Sequence, residues 1–137
     1  MASSETGVQF GYTILYVSDV AASLDFFERA FAIPRRFLHE SGAYGELETG
    51  ATTLAFAAHD LGALNFGTEH VRADASALPL GVEIALVTAD VVAAHARAQA
   101  AGACELAAPA QKPWGQTVSY LRCPDGTVVE LCTPMAG

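Results

Sequence analysis

Basic residues are few. Seven Lys and Arg stand against 15 Asp and Glu, a formal net charge of -8, so the chain lacks the positive surface that a phosphate backbone requires, and nucleic acid is excluded as a partner. Long apolar runs are missing too. None approaches the roughly 18 to 20 residues that span a bilayer, and the polar start MASSETG has no charged-then-apolar layout, so the expectation is a cytoplasmic protein with no membrane partner. Cysteine occurs only at Cys104, Cys123 and Cys132, an odd number without CxxC spacing. That pattern argues against a disulfide framework or a zinc knot and for reduced structural thiols.

What is present is apolar material in one domain's length of chain. The 137 residues are 52% hydrophobic, enough to build a core of the commonest domain size. The segment FGYTILYV (residues 10–17) reads as a strand and runs into SDVAASLDFFERAFAI (residues 18–33). There Val20, Leu24, Phe27 and Phe31 recur at helical spacing behind a Ser18 or Asp19 cap, and Pro34 stops the helix. Three strand candidates follow, RRFLHE, YGELET and TTLAFAA, separated by Ser41-Gly42 and Gly50.

Residues 60–79 then lapse into a Gly, Ala and polar stretch that reads as a connecting loop, after which the order restarts. GVEIALVT is a strand, and ADVVAAHARAQAAG an Ala-rich helix ended by Gly102. CELAA, TVSYLRC and TVVELCT are further strands, with the turn KPWGQ before the second of them. An offset of 71 positions carries Asp19 onto Asp90, Tyr12 onto Glu83 and Leu15 onto Leu86. The chain is therefore predicted to be one α+β domain, residues 1–137, made of two βαβββ modules at 8–59 and 80–134 joined by a connector at 60–79.

These residues resemble the vicinal oxygen chelate superfamily, which includes glyoxalase I, extradiol dioxygenases, fosfomycin-resistance enzymes and bleomycin-resistance proteins. The resemblance rests on YVSDVAASLDFFERAF, EIALVTADVVAAHARAQAAGA and PWGQTVSYLRCPDGTVVEL, and covers roughly residues 8–134. It departs at Cys123, where the family commonly has an acidic residue. It implies that each module curls into half of an open barrel, with a cavity drawing on both halves or on a dimer partner. The metal positions that it implies fall on Tyr12, Ala55, Glu83 and Glu130. Ala55 has no ligand atom, its neighbours Thr53, Leu54 and Phe56 offer no carboxylate or imidazole, and tyrosine is an uncommon ligand there.

Strand alternation puts Tyr12, Ile14 and Tyr16 on one face, which the resemblance makes cavity-facing together with Glu83, Ala85, Val87, Val128, Glu130 and Cys132. Trp114, the single tryptophan, is placed to close one end. Glu83 and Glu130 are expected to face each other across the cavity, where like charge raises one pKa or recruits a ligand cation, unless an arginine such as Arg35, Arg36, Arg72, Arg97 or Arg122 pairs with them. Glu46 and Glu48 read either as rim acidity or as solvated carboxylates, and His95 as a surface residue.

Two functions follow. The favoured one is a homodimeric, metal-independent protein, closest in character to the bleomycin-resistance branch, that sequesters an aromatic or peptide-like antibiotic. It would use Tyr12, Ile14, Tyr16, Ala55, Glu83, Trp114 and Glu130, with no catalytic residue and no cofactor. The alternative is a glyoxalase-like lyase, isomerase or dioxygenase with a divalent metal on Glu83 and Glu130.

Overall fold

A computed structural model describes residues 7–135. The polar start read above lies, for residues 1–6, outside them. In the first module, β1 (Tyr12–Val17) leads into α1 (Val20–Phe31), and β2 (Arg35–Leu38), β3 (Tyr44–Leu47) and β4 (Thr53–Ala58) complete a sheet of order β1-β4-β3-β2. The second repeats it: β5 (Glu83–Val87), α3 (Val91–Ala101), β6 (Cys104–Gln111), β7 (Thr117–Arg122) and β8 (Val128–Cys132) give the order β5-β8-β7-β6. The predicted tandem βαβββ architecture is the observed one.

The repeat extends to the helix ends. Asp19 accepts from Ala22 N and Asp90 from Ala93 N, both at 3.0 Å, satisfying in each helix one of the N–H groups left over in the first turn. Helix α3 ends at Gly102, whose φ of 122 degrees suits a residue without Cβ. In α1 that turn falls on Ala32 at φ 58 degrees, two residues before Pro34.

Strand pairing settles the register. Tyr12 lies beside Thr53 and Ile14 beside Ala55; correspondingly, Glu83 lies beside Val128 and Ala85 beside Glu130. Ala55 is thus the counterpart of Glu130. The helices pack on one face of each sheet and against each other, and β1 also meets the turn Ala73–Ala75. Arg97 Nε reaches Arg29 O at 2.8 Å and Arg29 Nη1 reaches Ala101 O at 3.3 Å, tying the helices together. One core results, holding Leu24, Phe27, Leu47 and Phe56 of the first module with Ala98, Leu121 and Val129 of the second. Among the described residues no helix is long and apolar enough to cross a membrane.

Two expectations are corrected. The connector is not all loop, because α2 (His59–Phe66) occupies its start and ends on Gly67 at φ 75 degrees. Glycines at 62 and 67 mask this helix in the sequence; at Gly62 a Cβ would stand 2.8 Å from Tyr16 Cδ1, so tertiary packing selects the residue that lowers local propensity. His95 is not a surface residue. It is 3% exposed, with Nδ1 2.8 Å from Ser119 Oγ and Nε2 2.7 Å from Glu105 Oε2, because Val91, His95 and Ala98 form the buried face of α3.

Candidate ligand-binding faces

Directly paired residues on neighbouring strands point the same way, so each sheet has a row whose members are fixed by register. In the first module the row is Ile14, Ala55, Glu46 and Phe37. In the second it is Ala85, Glu130, Tyr120 and Ala107. Several members of this outward side are open: Tyr12 is 57%, Phe37 40% and Ile14 39% exposed. A broad surface of mixed aromatic and acidic character is left on each module.

On the first module, Glu46 is buried rather than solvated, which corrects its reading from sequence. Tyr44 Oη donates to Glu46 Oε2 at 2.7 Å, and Arg36 Nη1 donates to Glu46 Oε1 at 2.9 Å and to Thr53 Oγ1 at 3.1 Å. The other edge of the same guanidinium grips Glu48, Nη2 to Oε2 at 2.8 Å and Nε to Oε1 at 3.2 Å. A register shift between Arg35 and Phe37 accompanies this reach, since a bulge re-aims side chains that strict alternation would separate. Hydrogen bonding from Arg36 holds the Glu48 carboxyl below its usual range. Burial, followed by the bond to Glu46, pushes the Tyr44 phenol up.

On the second module, Glu83 and Glu130 lie on adjacent parallel strands of one sheet, not across a cavity from each other as the sequence suggested. Burial raises the Glu83 carboxyl, and a hydrogen bond with Glu130 and the charge of Glu130 raise it further. Two neighbouring carboxyl groups disfavour carrying both charges at once. Tyr120 Oη donates to Glu130 Oε1 at 3.0 Å, giving that oxygen a neutral partner. Among the described residues neither glutamate joins a salt bridge; Arg122 instead donates to the carbonyls of Ala73 and Ser76, each at 2.8 Å.

A stability prediction follows. A carboxyl raised by folding contributes stability below the ordinary carboxyl range, and that contribution is lost as pH rises through the elevated value. Glu83→Gln keeps a hydrogen-bond donor for Glu130 and removes the charge. It is expected to unfold at a higher temperature than the parent at neutral pH, by up to about 1 kcal/mol because solvent screens an exposed side chain, with the gap closing in acid. Thermal melts across pH check this; a variant less stable than its parent at neutral pH would contradict the raised Glu83 carboxyl.

The remaining candidates are spread out. Tyr12 stays open, whereas the Tyr16 ring packs edge-on to Phe66 at 5.3 Å and against His70 at 5.4 Å, beneath the connector. Trp114 is 61% exposed in the turn between β6 and β7, where its Nε1 donates to Gln116 Oε1 at 2.7 Å. Gln116 in turn donates to Thr133 O, so the indole belongs to the end of the sheet beyond Cys132, away from Glu83 at the start of β5. Cys123 and Cys132 are buried free thiols, and Cys104 is an exposed one. Sequence reasoning missed Phe37, Tyr44 and Tyr120, and considered Arg36 only as a partner of Glu83 or Glu130 rather than of Glu46 and Glu48. Tyr44 two places before Glu46 in YGELET was an available signal, but the rest needed the strand pairing to be read.

A divalent metal, which the fold type implies, uses three or four ligands. Of the four strand positions, Ala55 offers no donor and is 0% exposed, and its row neighbour Glu46 is engaged by Arg36 and Tyr44. Among the described residues no group of three His, Cys, Asp or Glu is placed to hold a metal ion. The set does not fit the group.

The model of the glyoxalase-like domain matches residues 10–136. The chain belongs to that family. It thereby falls in the glyoxalase, bleomycin-resistance and dioxygenase superfamily, to which solved structures of the same fold belong. A glyoxalase-related enzyme from Fulvimarina pelagi superimposes with a TM-score of 0.79 at 21% identity, over 92% of this chain and 88% of that one. A protein of unknown function from Agrobacterium tumefaciens str. C58 gives 0.74 at 23% identity, over 94% and 96%. TioX from Micromonospora sp. ML1 gives 0.62 at 17%, over 92% and 96%. At these identities the likeness is one of fold. No curated protein matches the chain.

Proposed function

We propose that this glyoxalase-like chain is a metal-independent binding protein of the cytoplasm that sequesters an aromatic or peptide-like natural product, antibiotic in character, and releases it unchanged. The observation that carries this reading is the makeup of the two faces: exposed Tyr12, Phe37 and Ile14 on one module, and the Glu83, Glu130 and Tyr120 group on the other. Aromatic side chains supply flat contact area, and the carboxyl groups accept hydrogen bonds from ligand amines or amides. Net charge of -8 favours a ligand that is cationic or neutral over an anion.

The faces also support a homodimer. Sheets with open apolar positions gain by being covered, and a second copy supplies a face of matched shape. Light scattering in the micromolar range is expected to give twice the chain mass; a monomer would count against a shared cleft.

Titration with a quinoxaline or glycopeptide antibiotic, followed by mass spectrometry of the recovered ligand, tests the function. Binding at micromolar affinity and an unaltered mass are expected. Tyr12→Ala should weaken it about fivefold to tenfold, the value of one aromatic contact. A ligand returned altered in mass would favour the alternative, a glyoxalase-like lyase, isomerase or dioxygenase using a divalent metal on Glu83 and Glu130.

A further inference from the structure

The connector walls two adjoining cavities. The first, about 260 Å³, lies between β1, the connector and the turn before β8, and is lined in the main by Ile14, Tyr16, Phe66, Val71, Leu80 and Val82. Its wall is open to a ligand, since Ile14, Phe66, Val71 and Val82 are all exposed, and the Tyr16 and Phe66 rings meet edge-on at 5.3 Å. The second cavity, about 230 Å³, lies beside the start of β5, with Glu83, Leu106 and Val128 around it. Leu80 and Val82 belong to both. The strip of chain before β5 is therefore a shared wall, and Glu83, the first residue of β5, stands at its end.

The two cavities differ in charge. Among its described residues the first holds no carboxylate, lysine or arginine, with His70 and Thr127 as its polar members, whereas the second holds Glu83. The guanidinium in the row of Glu83 and Val128 is that of Arg122, and it is spent on the carbonyls of Ala73 and Ser76, each at 2.8 Å. Burial, then Glu130 beside it, already holds the Glu83 carboxyl above its ordinary range. A cation brought by a ligand supplies the opposite charge that the protein does not.

Each cavity alone falls below the roughly 300 to 1,000 Å³ of drug-sized sites, so a ligand of that size occupies both. We propose that the pair takes an amphipathic amine, with an apolar ring against Tyr16, Phe66 and Val71 and a protonated nitrogen beside Glu83. This inference rests on the reading of the chain as a binding protein and names the class of its ligand: an arylalkyl ammonium rather than a neutral or acidic aromatic. Leu80 and Val82 then lie against the stem that joins ring to nitrogen.

The probes are phenylbutylamine, phenylbutanol and phenylbutyrate, which share ring and stem and differ in charge. In calorimetric titration at low ionic strength, the amine is expected to bind about fivefold tighter than the alcohol, the worth of a solvent-exposed ion pair, and the butyrate more weakly than either. Glu83→Gln should bring the amine level with the alcohol. Glu40→Gln removes the same charge from the exposed turn after β2 and should leave the preference intact. Phe66→Ala should weaken amine and alcohol alike. If Glu83→Gln fails to fold, the order of the three probes on the unmodified protein decides. Equal affinity for amine and alcohol, a preference that survives Glu83→Gln, or unchanged affinities in Phe66→Ala would each overturn the proposal. Binding of the antibiotic without a preference for the amine overturns this inference alone, whereas no binding of the antibiotic or of any probe overturns the binding-protein reading with it.

Discussion

Phe27→Ala is expected to cost about 3–5 kcal/mol, the usual penalty for removing a buried aromatic ring from a core that cannot close around the void. Phe27 is 0% exposed on α1, with the rings of Phe31 and Phe56 at 5.1 and 5.2 Å and that of Phe26 at 6.0 Å. It belongs to the core that joins both modules, so the loss falls on the whole chain and not on one half. Against a typical stability of about 5–15 kcal/mol this is a large fraction. Denaturant unfolding should show a lowered midpoint with an unchanged slope. A loss below about 1 kcal/mol, within the range of surface substitutions and mild core changes, would mean that the two modules do not share a core.

Gly126→Ala should be nearly as damaging, for two independent reasons. Its φ of 90 degrees lies where a side chain is strained, and a Cβ there would stand 2.3 Å from Ala73 O and 2.7 Å from Asp74 N. The obstacle is backbone and cannot swing aside. Ala73 O also accepts from Arg122 Nη2 at 2.8 Å, so relieving the clash breaks one of the bonds that fasten the connector to β7. Left-handed strain accounts for about 1–2 kcal/mol, and the collision adds to it. Gly115 is the internal control. Its φ is 102 degrees but no atom lies within 4 Å of the Cβ site, so Gly115→Ala should show the strain alone. Equal losses at the two glycines would contradict the contact with Ala73.

Which features were legible in the sequence follows from how local their causes are. The caps Asp19 and Asp90 act through residues three positions on, and the turn at Pro124-Asp125-Gly126 through its own chain, so the repeated βαβββ order could be read without tertiary information. The buried face of α3 could not. An Ala-rich helix has little contrast between its sides, and His95 gave no sign that Ser119 and Glu105 would satisfy both its nitrogens. Helix α2 was hidden because Gly62 answers to the Tyr16 ring rather than to helix propensity.

The site divides along the same line. Alternation groups Tyr12, Ile14 and Tyr16, but the Tyr16 ring packs against Phe66 and His70 of a connector whose helix the sequence does not announce. Glu83 and Glu130 were recognised as a pair, yet their placement side by side depends on β5 lying next to β8, strands separated in sequence by a helix and two other strands. Glu46 was misread because its partner Arg36 arrives through a bulge that no periodicity announces.

The central claim is that the faces bind their ligand without a metal. Its most direct test is the affinity of chelator-stripped protein for the antibiotic ligand, compared with that of untreated protein. Equal affinity is predicted, because Ala55 contributes no donor and Glu130 already accepts from Tyr120. Loss of binding on stripping, restored by one equivalent of a divalent metal and abolished by Glu83→Gln with Glu130→Gln, would contradict the claim.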